Sequence, residues 1–206
     1  MKTSRKNETK RLAALGVFTA LSVILVALVH FPIFPAVSFL EYDPADIPIL
    51  IVGFAFGPAA GLIVTAVAAL IQGFTVSAAS GIYGIIMHLL ATGVYVLVSS
   101  LIYRRHRTRG GAAAALAFGT LAMVVMMFFA NLVVTTYFMM GAVSGETIRA
   151  LMSFMPFILL FNLIKAGVNG MITFTIYKSV SRLFGRLGVK DADTAPSMGK
   201  AKTVEG

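Results

Sequence analysis

Four polar side chains fall in one line within an otherwise apolar stretch of this sequence: Asn162, Lys165, Asn169 and Thr173. Their spacing, i, i+3, i+7 and i+11, stacks them along a single face of an α-helix. Amides that donate and accept hydrogen bonds, set around an ammonium that only donates, suit the polar edge of a small organic molecule. The stretch is "FMPFILLFNLIKAGVNGMITF", residues 154–174. It is apolar enough for the interior of a bilayer. Lys165 stands nine residues beyond Pro156. That is about 14 Å along a helix axis, near the middle of a hydrocarbon slab about 30 Å thick. An ammonium at that depth costs roughly 2.5–3.5 kcal/mol even by insertion measurements. Its side chain is too short to reach either surface.

The charge pattern leaves Lys165 short of partners. No Asp or Glu falls inside any helix interior read below, so no acid is expected at its depth. What remains is a backbone carbonyl, a loop carboxylate folded inward, a neutral lysine or a ligand. A ligand-facing cavity is the favoured reading over a purely structural lysine. The lack of paired acids also argues against a proton-relay antiporter.

Other polar residues add to the stripe. Asn131 is a lone amide in an apolar run, followed by Thr135, Thr136 and Tyr137. Interhelical hydrogen bonding would explain it alone; beside the stripe it suggests a polar pocket. "FLEYDPADIP" gathers Glu41, Tyr42, Asp43 and Asp46, where a rigid loop with Asp43 or Asp46 capping the next helix is the plain alternative. "QGFTVSAASGIYG" combines small hydroxyl residues with Gly81 and Gly84, which permit close backbone approach to a ligand. Ala13, Gly16 and Ala20 make a small-residue face on the first helix, suited to close packing against another helix in this chain or in a partner.

Much chemistry is excluded. The chain has no cysteine, hence no thiolate nucleophile or disulfide. His30, His88 and His106 are not at metal-ligand spacing, so no metal is assigned. There is no "GxSxG", "HExxH" or phosphate-binding "GxxxxGK[ST]". No catalytic residue is assigned, and the chain reads as a non-enzyme. If transport here is ATP-driven, the ATPase is another chain.

The elements that position these residues follow from composition. Hydrophobic residues make up 58% of the 206 and charged residues only 12%, too apolar for an ordinary soluble domain. Residues 12–40, 47–103 and 110–145 carry no Asp, Glu, Lys or Arg. Each run exceeds the roughly 20 residues needed to cross a bilayer. The class is therefore an all-α, multi-pass membrane protein; uniform apolar runs do not fit the alternation of a membrane β-barrel. The net charge of +9 raises nucleic acid as a partner. The basic residues flank apolar runs, however, so the charge reads as topology, with the lipid bilayer as the environment and no nucleic acid.

Charge also counts the crossings. Basic clusters stand at residues 2–11, at "RRHRTR" (104–109) and at Lys178, Arg182, Arg186 and Lys190. If all three are cytoplasmic, an even number of crossings separates each pair. Parity fails if residues 46–74 cross once. It holds if "FGPAAG" breaks the segment at Gly57 and Pro58 into two short helices, 46–57 and 59–73. The expectation is a six-transmembrane-helix bundle with both termini cytoplasmic and helices 2 and 3 short. Helices run at 12–29, the short pair, 82–103, 111–138 and 156–184, the last opening at Pro156. Outer loops cover 30–45, 74–81 and 139–155. A cytoplasmic basic tail (1–11) precedes the helical domain (12–184), and a disordered cytoplasmic tail (185–206) follows it. No internal repeat supports an inverted-repeat transporter.

The block "FLEYDPADIPILIVGFAFGPAAGLIV", the small-residue loop after it and "NLIKAGVNG" resemble the substrate-binding S components of energy-coupling factor (ECF) vitamin transporters, and within them the riboflavin-specific branch. The resemblance covers roughly residues 12–184. It implies a six-helix bundle in the bacterial cell membrane that holds one vitamin near its outer side. Delivery would run through a membrane-embedded coupling (T) protein driven by two ABC ATPase subunits. It implies riboflavin as transported ligand rather than cofactor, with Asn131, Asn162, Lys165 and Asn169 at the isoalloxazine ring and Tyr42, Asp43, Ser80 and Gly81 closing over it. Ala13, Gly16 and Ala20 would dock the coupling protein, though their spacing departs from a strict Ala-x-x-x-Ala pattern. A flavin fits these residues chemically: its ring is flat and apolar, and its pyrimidine edge carries donors and acceptors. An S component for another vitamin or heterocycle, or a non-transport membrane interaction protein, is the alternative.

Overall fold

The structure, a computed structural model, describes residues 2–186. Helix α1 (Lys2–Leu28) starts well before the first apolar residue, because Lys, Arg and Glu are good helix formers and extend it. The expected tail of residues 1–11 is thus largely helical. A two-residue antiparallel ribbon follows, β1 (Phe31–Pro32) with β2 (Glu41–Tyr42), pairing Phe31 with Tyr42 and Pro32 with Glu41. Next come α2 (Asp46–Phe56) and α3 (Pro58–Phe74), then α4 (Gly81–Arg105) and α5 (Arg109–Ala130). A π turn at Asn131–Thr135 leads into α6 (Thr136–Met140); α7 (Gly145–Met152) and α8 (Met155–Arg186) complete the order. The expected tail beyond Arg186 lies outside the described residues.

The break between α2 and α3 falls where the sequence places it. Gly57 adopts φ +86°, a left-handed conformation that side chains resist, and donates its amide to Gly53 O at 3.0 Å. Pro58 then opens α3 at a position where its missing N–H costs nothing. Two expectations differ in detail. The fifth helix is not one straight segment over 111–138, since a π turn interrupts it. The loop 139–155 contains α7, capped by reciprocal bonds between Ser144 and Thr147.

Four helical stretches are long and apolar enough to cross a membrane: Asn7–Leu28, Ala78–Arg105, Arg109–Met140 and Met155–Phe184. The apolar α2 and α3 are shorter. α2 answers its shortness by burial: Ile49, Leu50 and Val52 are fully enclosed. It packs closely because a Cβ on Gly53 would collide with Ser100 Oγ of α4. Outward, Leu12, Val17, Ile24, Phe118, Leu121 and Leu163 are exposed, as a lipid-facing surface requires. A second apolar cluster of Val37, Leu40, Leu151, Met155, Ile158 and Phe161 pins the loop 30–45 to α7 and α8.

Candidate ligand-binding site

The ribbon β1–β2 turns the chain so that Tyr42 and Asp43 enter the bundle beside the middle of α8. Lys165 Nζ donates to Asp43 Oδ2 at 2.6 Å, and both residues are buried. Of the partners left open for Lys165, the structure shows the loop carboxylate folded inward: the acid at its depth comes from a loop, which no helix count registers. Burial alone would push the Asp43 carboxyl up. The Lys165 charge, then that of His88, then hydrogen bonds from Lys165 and the Ala45 amide hold it below the usual carboxylate range. The Ala45 bond runs to Asp43 Oδ1 at 3.0 Å.

One turn further along α8, Asn169 braces the same loop. Its Nδ2 donates to Asp43 O at 3.0 Å and to Asp46 Oδ2 at 2.9 Å. Its Oδ1 accepts from Tyr42 OH at 3.0 Å. The other oxygen of Asp46 accepts from Thr92 Oγ1 of α4 at 2.6 Å. Asp46 therefore ties α2 to α4 and α8, and no side-chain bond caps α2. Burial, then the neighbouring Asp43 charge, pushes the Tyr42 phenol up, keeping it a donor to Asn169. Every heteroatom of this network has a partner, as a polar cluster in an apolar medium demands.

Against this network lies a cavity of about 140 Å³. Lys165, Asn162, Asp43 and Ser80 line it, as does the apolar surface of Phe161, Met123 and Met127. Asn162 Nδ2 donates to Ile158 O at 2.8 Å, leaving its carbonyl oxygen as acceptor. Other expected site residues stand back. Asn169 and Tyr42 brace the loop and do not line the cavity. Gly81 opens α4 at φ +51°. Asn131 is spent within its own segment: Nδ2 donates to Met127 O at 2.8 Å and Oδ1 accepts from Thr135 Oγ1 at 2.8 Å. It meets the cavity indirectly, through Met127, which lines it, and through Thr135, which lies 3.1 Å from the OH of the lining residue Tyr83. The fourth member of the stripe, Thr173, is fully buried away from the cavity.

Among the lining residues that escaped the sequence reading are Gln72 of α3 and His88 of α4. Gln72 Nε2 and His88 Nε2 are buried without a hydrogen-bond partner among the described residues. A signal existed, since Gln72 is the sole side-chain amide between Asp46 and His88. The cavity thus has a charged wall on α8 and the loop 30–45, and an unsatisfied polar wall on α3 and α4. Together they can hold a molecule with polar groups on more than one edge.

The small face of α1 is uncovered. Ala13, Gly16 and Ala20 are exposed, and nothing lies within 4 Å of a Cβ built on Gly16. Among the described residues, no packing against Gly16 within this chain, one of the two readings of that face, is present.

The chain resembles the riboflavin transporter FmnP of Bacillus subtilis (strain 168), with 27% identity over 168 residues, 78% of this chain and 86% of that protein. It also resembles the riboflavin transporter RibU of Staphylococcus aureus (strain TCH60), with 25% identity over 182 residues, 87% of this chain and 95% of that one. The fold matches a solved structure described as the S component of a bacterial ECF transporter, with a TM-score of 0.69 at 24% identity, covering 86% of this chain and 98% of the other. Residues 10–177 match the family "ECF transporter, substrate-specific component". A transport family, a membrane-type surface and an internal polar cavity agree, and the chain belongs to the substrate-specific components of ECF transporters.

Proposed function

We propose that this chain is the high-affinity riboflavin-binding subunit of an ATP-driven ECF vitamin importer in the bacterial cell membrane. The observation that carries the reading is Lys165, a buried ammonium held by Asp43 at the wall of a cavity. Asp43 fixes the direction of the ammonium, leaving its other protons for carbonyl and ring-nitrogen acceptors of the flavin's pyrimidine edge. The Asn162 oxygen accepts from a ring N–H. Phe161, Met123 and Met127 cover the apolar part of the ring, and Gln72 and His88 meet polar groups opposite. The names of the two riboflavin transporters support the choice of vitamin.

In this reading the bundle crosses the membrane six times, α2 and α3 each counting as a short crossing, with both termini cytoplasmic as the basic clusters require. The cavity then lies toward the outside. Its volume is below the 300–1,000 Å³ usual for ligand pockets, so admission of a flavin moves the Tyr42–Asp43 loop and the segment around Ser80. The exposed face of Ala13, Gly16 and Ala20 docks the membrane-embedded coupling protein, which two ABC ATPases drive. The chain itself carries no catalytic step.

The small cavity is the one observation that favours a second reading, an S component for a smaller heterocycle. Titrating purified protein against a panel of vitamins separates the two. Quenching of flavin emission on binding, with no response to smaller vitamins, supports riboflavin; the reverse order overturns it.

A further inference from the structure

At the opposite end of α1, α3 and α4 from the polar cavity lies a second cavity, of about 250 Å³. Arg11, Arg104 and Arg107 line it, together with Ser100, and among the described residues no carboxylate lines it. Arg104 and Arg107 are also engaged elsewhere in the chain, so Arg11 and Ser100 are the informative pair. Arg11 Nη2 reaches Phe56 O only at 3.5 Å, the weak limit of a hydrogen bond. Its Nε is buried with no partner. Ser100 is 1% exposed and its Oγ is likewise unpartnered, although a helical serine ordinarily bonds back to its own backbone. The N-terminus of α3 enters the same cavity through Gly57, Pro58 and Ala59, with no side chain capping it. Gly57 donates its amide to Gly53 O and Pro58 has none, so the Ala59 amide and the helix dipole are what favour an anion there.

We propose that this cavity binds a phosphate-type oxyanion. Arg11 Nε of α1 and Ser100 Oγ of α4 have no hydrogen-bond partner among the described residues, and the N-terminus of α3 adds a backbone donor beside them. A tetrahedral oxyanion supplies acceptors in several directions at once. The same chemistry is offered by the phosphodiester of an anionic lipid headgroup and by free phosphate. Basic pockets between helices at a membrane surface take the former.

The test is thermal unfolding of the purified full chain in two arms. One compares inorganic phosphate with chloride at equal ionic strength. The other compares vesicles of phosphatidylglycerol with vesicles of phosphatidylcholine. Wild type melts higher with at least one of the two probes than with its control. Stabilisation by phosphatidylglycerol alone identifies the headgroup; stabilisation by phosphate, with or without the lipid, identifies the free anion. Arg11→Gln and Ser100→Ala each weaken the stabilising interaction by about tenfold, the effect of one lost charge-assisted hydrogen bond. Ser100→Ala removes only an unbonded hydroxyl, so it folds even if Arg11→Gln does not. The proposal is overturned if neither probe exceeds its control, or if a folded variant keeps the full shift.

Discussion

Lys165 and Asp43 are 122 residues apart in sequence and 2.6 Å apart in space. Each is buried, so neither charge is tolerable without the other. Removing one partner leaves an uncompensated charge, at a usual cost of about 3–5 kcal/mol. Lys165→Met and Asp43→Asn singly should lower the Tm of the detergent-solubilised protein. The double variant should lose far less than the sum, because its two effects share one interaction. Additive losses in a double-mutant cycle would show that the pair is not coupled.

The pair also sets a pH dependence. Asp43 is held below the usual carboxylate range by Lys165 and His88, with Tyr42 and Asp46 beside it. A lowered folded pKa means that the unfolded chain binds the proton more readily. The stability it contributes is therefore present above the unfolded value, about 3.9, and is lost as pH falls through the folded value. Melting curves from about pH 6 to pH 2 should fall more steeply for wild type than for Asp43→Asn. Parallel curves would remove Asp43 as the titrating group.

Gln72 and His88 bury nitrogens that nothing in the described chain satisfies. Replacing such a group by an apolar one is neutral or stabilising for the fold. If a ligand satisfies it, the same change weakens binding. Gln72→Leu and His88→Leu should each raise the riboflavin Kd by about tenfold while leaving Tm equal or higher. An unchanged Kd in both would exclude the α3–α4 wall from recognition.

The bare face of α1 separates binding from uptake. Gly16→Leu adds bulk where the chain itself places nothing, so folding and riboflavin binding should survive. Uptake by cells carrying the coupling subunits should fall roughly tenfold, as expected for the loss of one close helix contact. Normal uptake would mean that docking uses another surface.

What was legible in the sequence were features that carry their own local cost. The charge-free runs, the Gly57–Pro58 break and the single lysine inside an apolar helix are each visible because a short stretch violates its surroundings. Lys165 and Asn162 do line the cavity. A loop carboxylate was one of several partners open to Lys165, and the sequence could not single out Asp43 because the contact is non-local: a two-residue ribbon has no period to detect, yet it delivers Asp43 into the bundle. Asn131 reads as a site residue by type, but the π turn that begins there lets its amide bond to its own segment. Gln72 and His88 were lone polar residues whose facing depends on how α3 and α4 rotate against one another. α7 was overlooked although Ser144 and Thr147 announce its start.

In the proposed function Lys165 is the group that reads the ligand, and one titration tests that role most directly. Flavin emission is the signal, since the chain contains no tryptophan. Wild-type protein should quench riboflavin emission saturably, and Lys165→Ala, in preparations shown to be folded, should raise the Kd by at least about tenfold. A folded Lys165→Ala protein that binds riboflavin as tightly as wild type would contradict it.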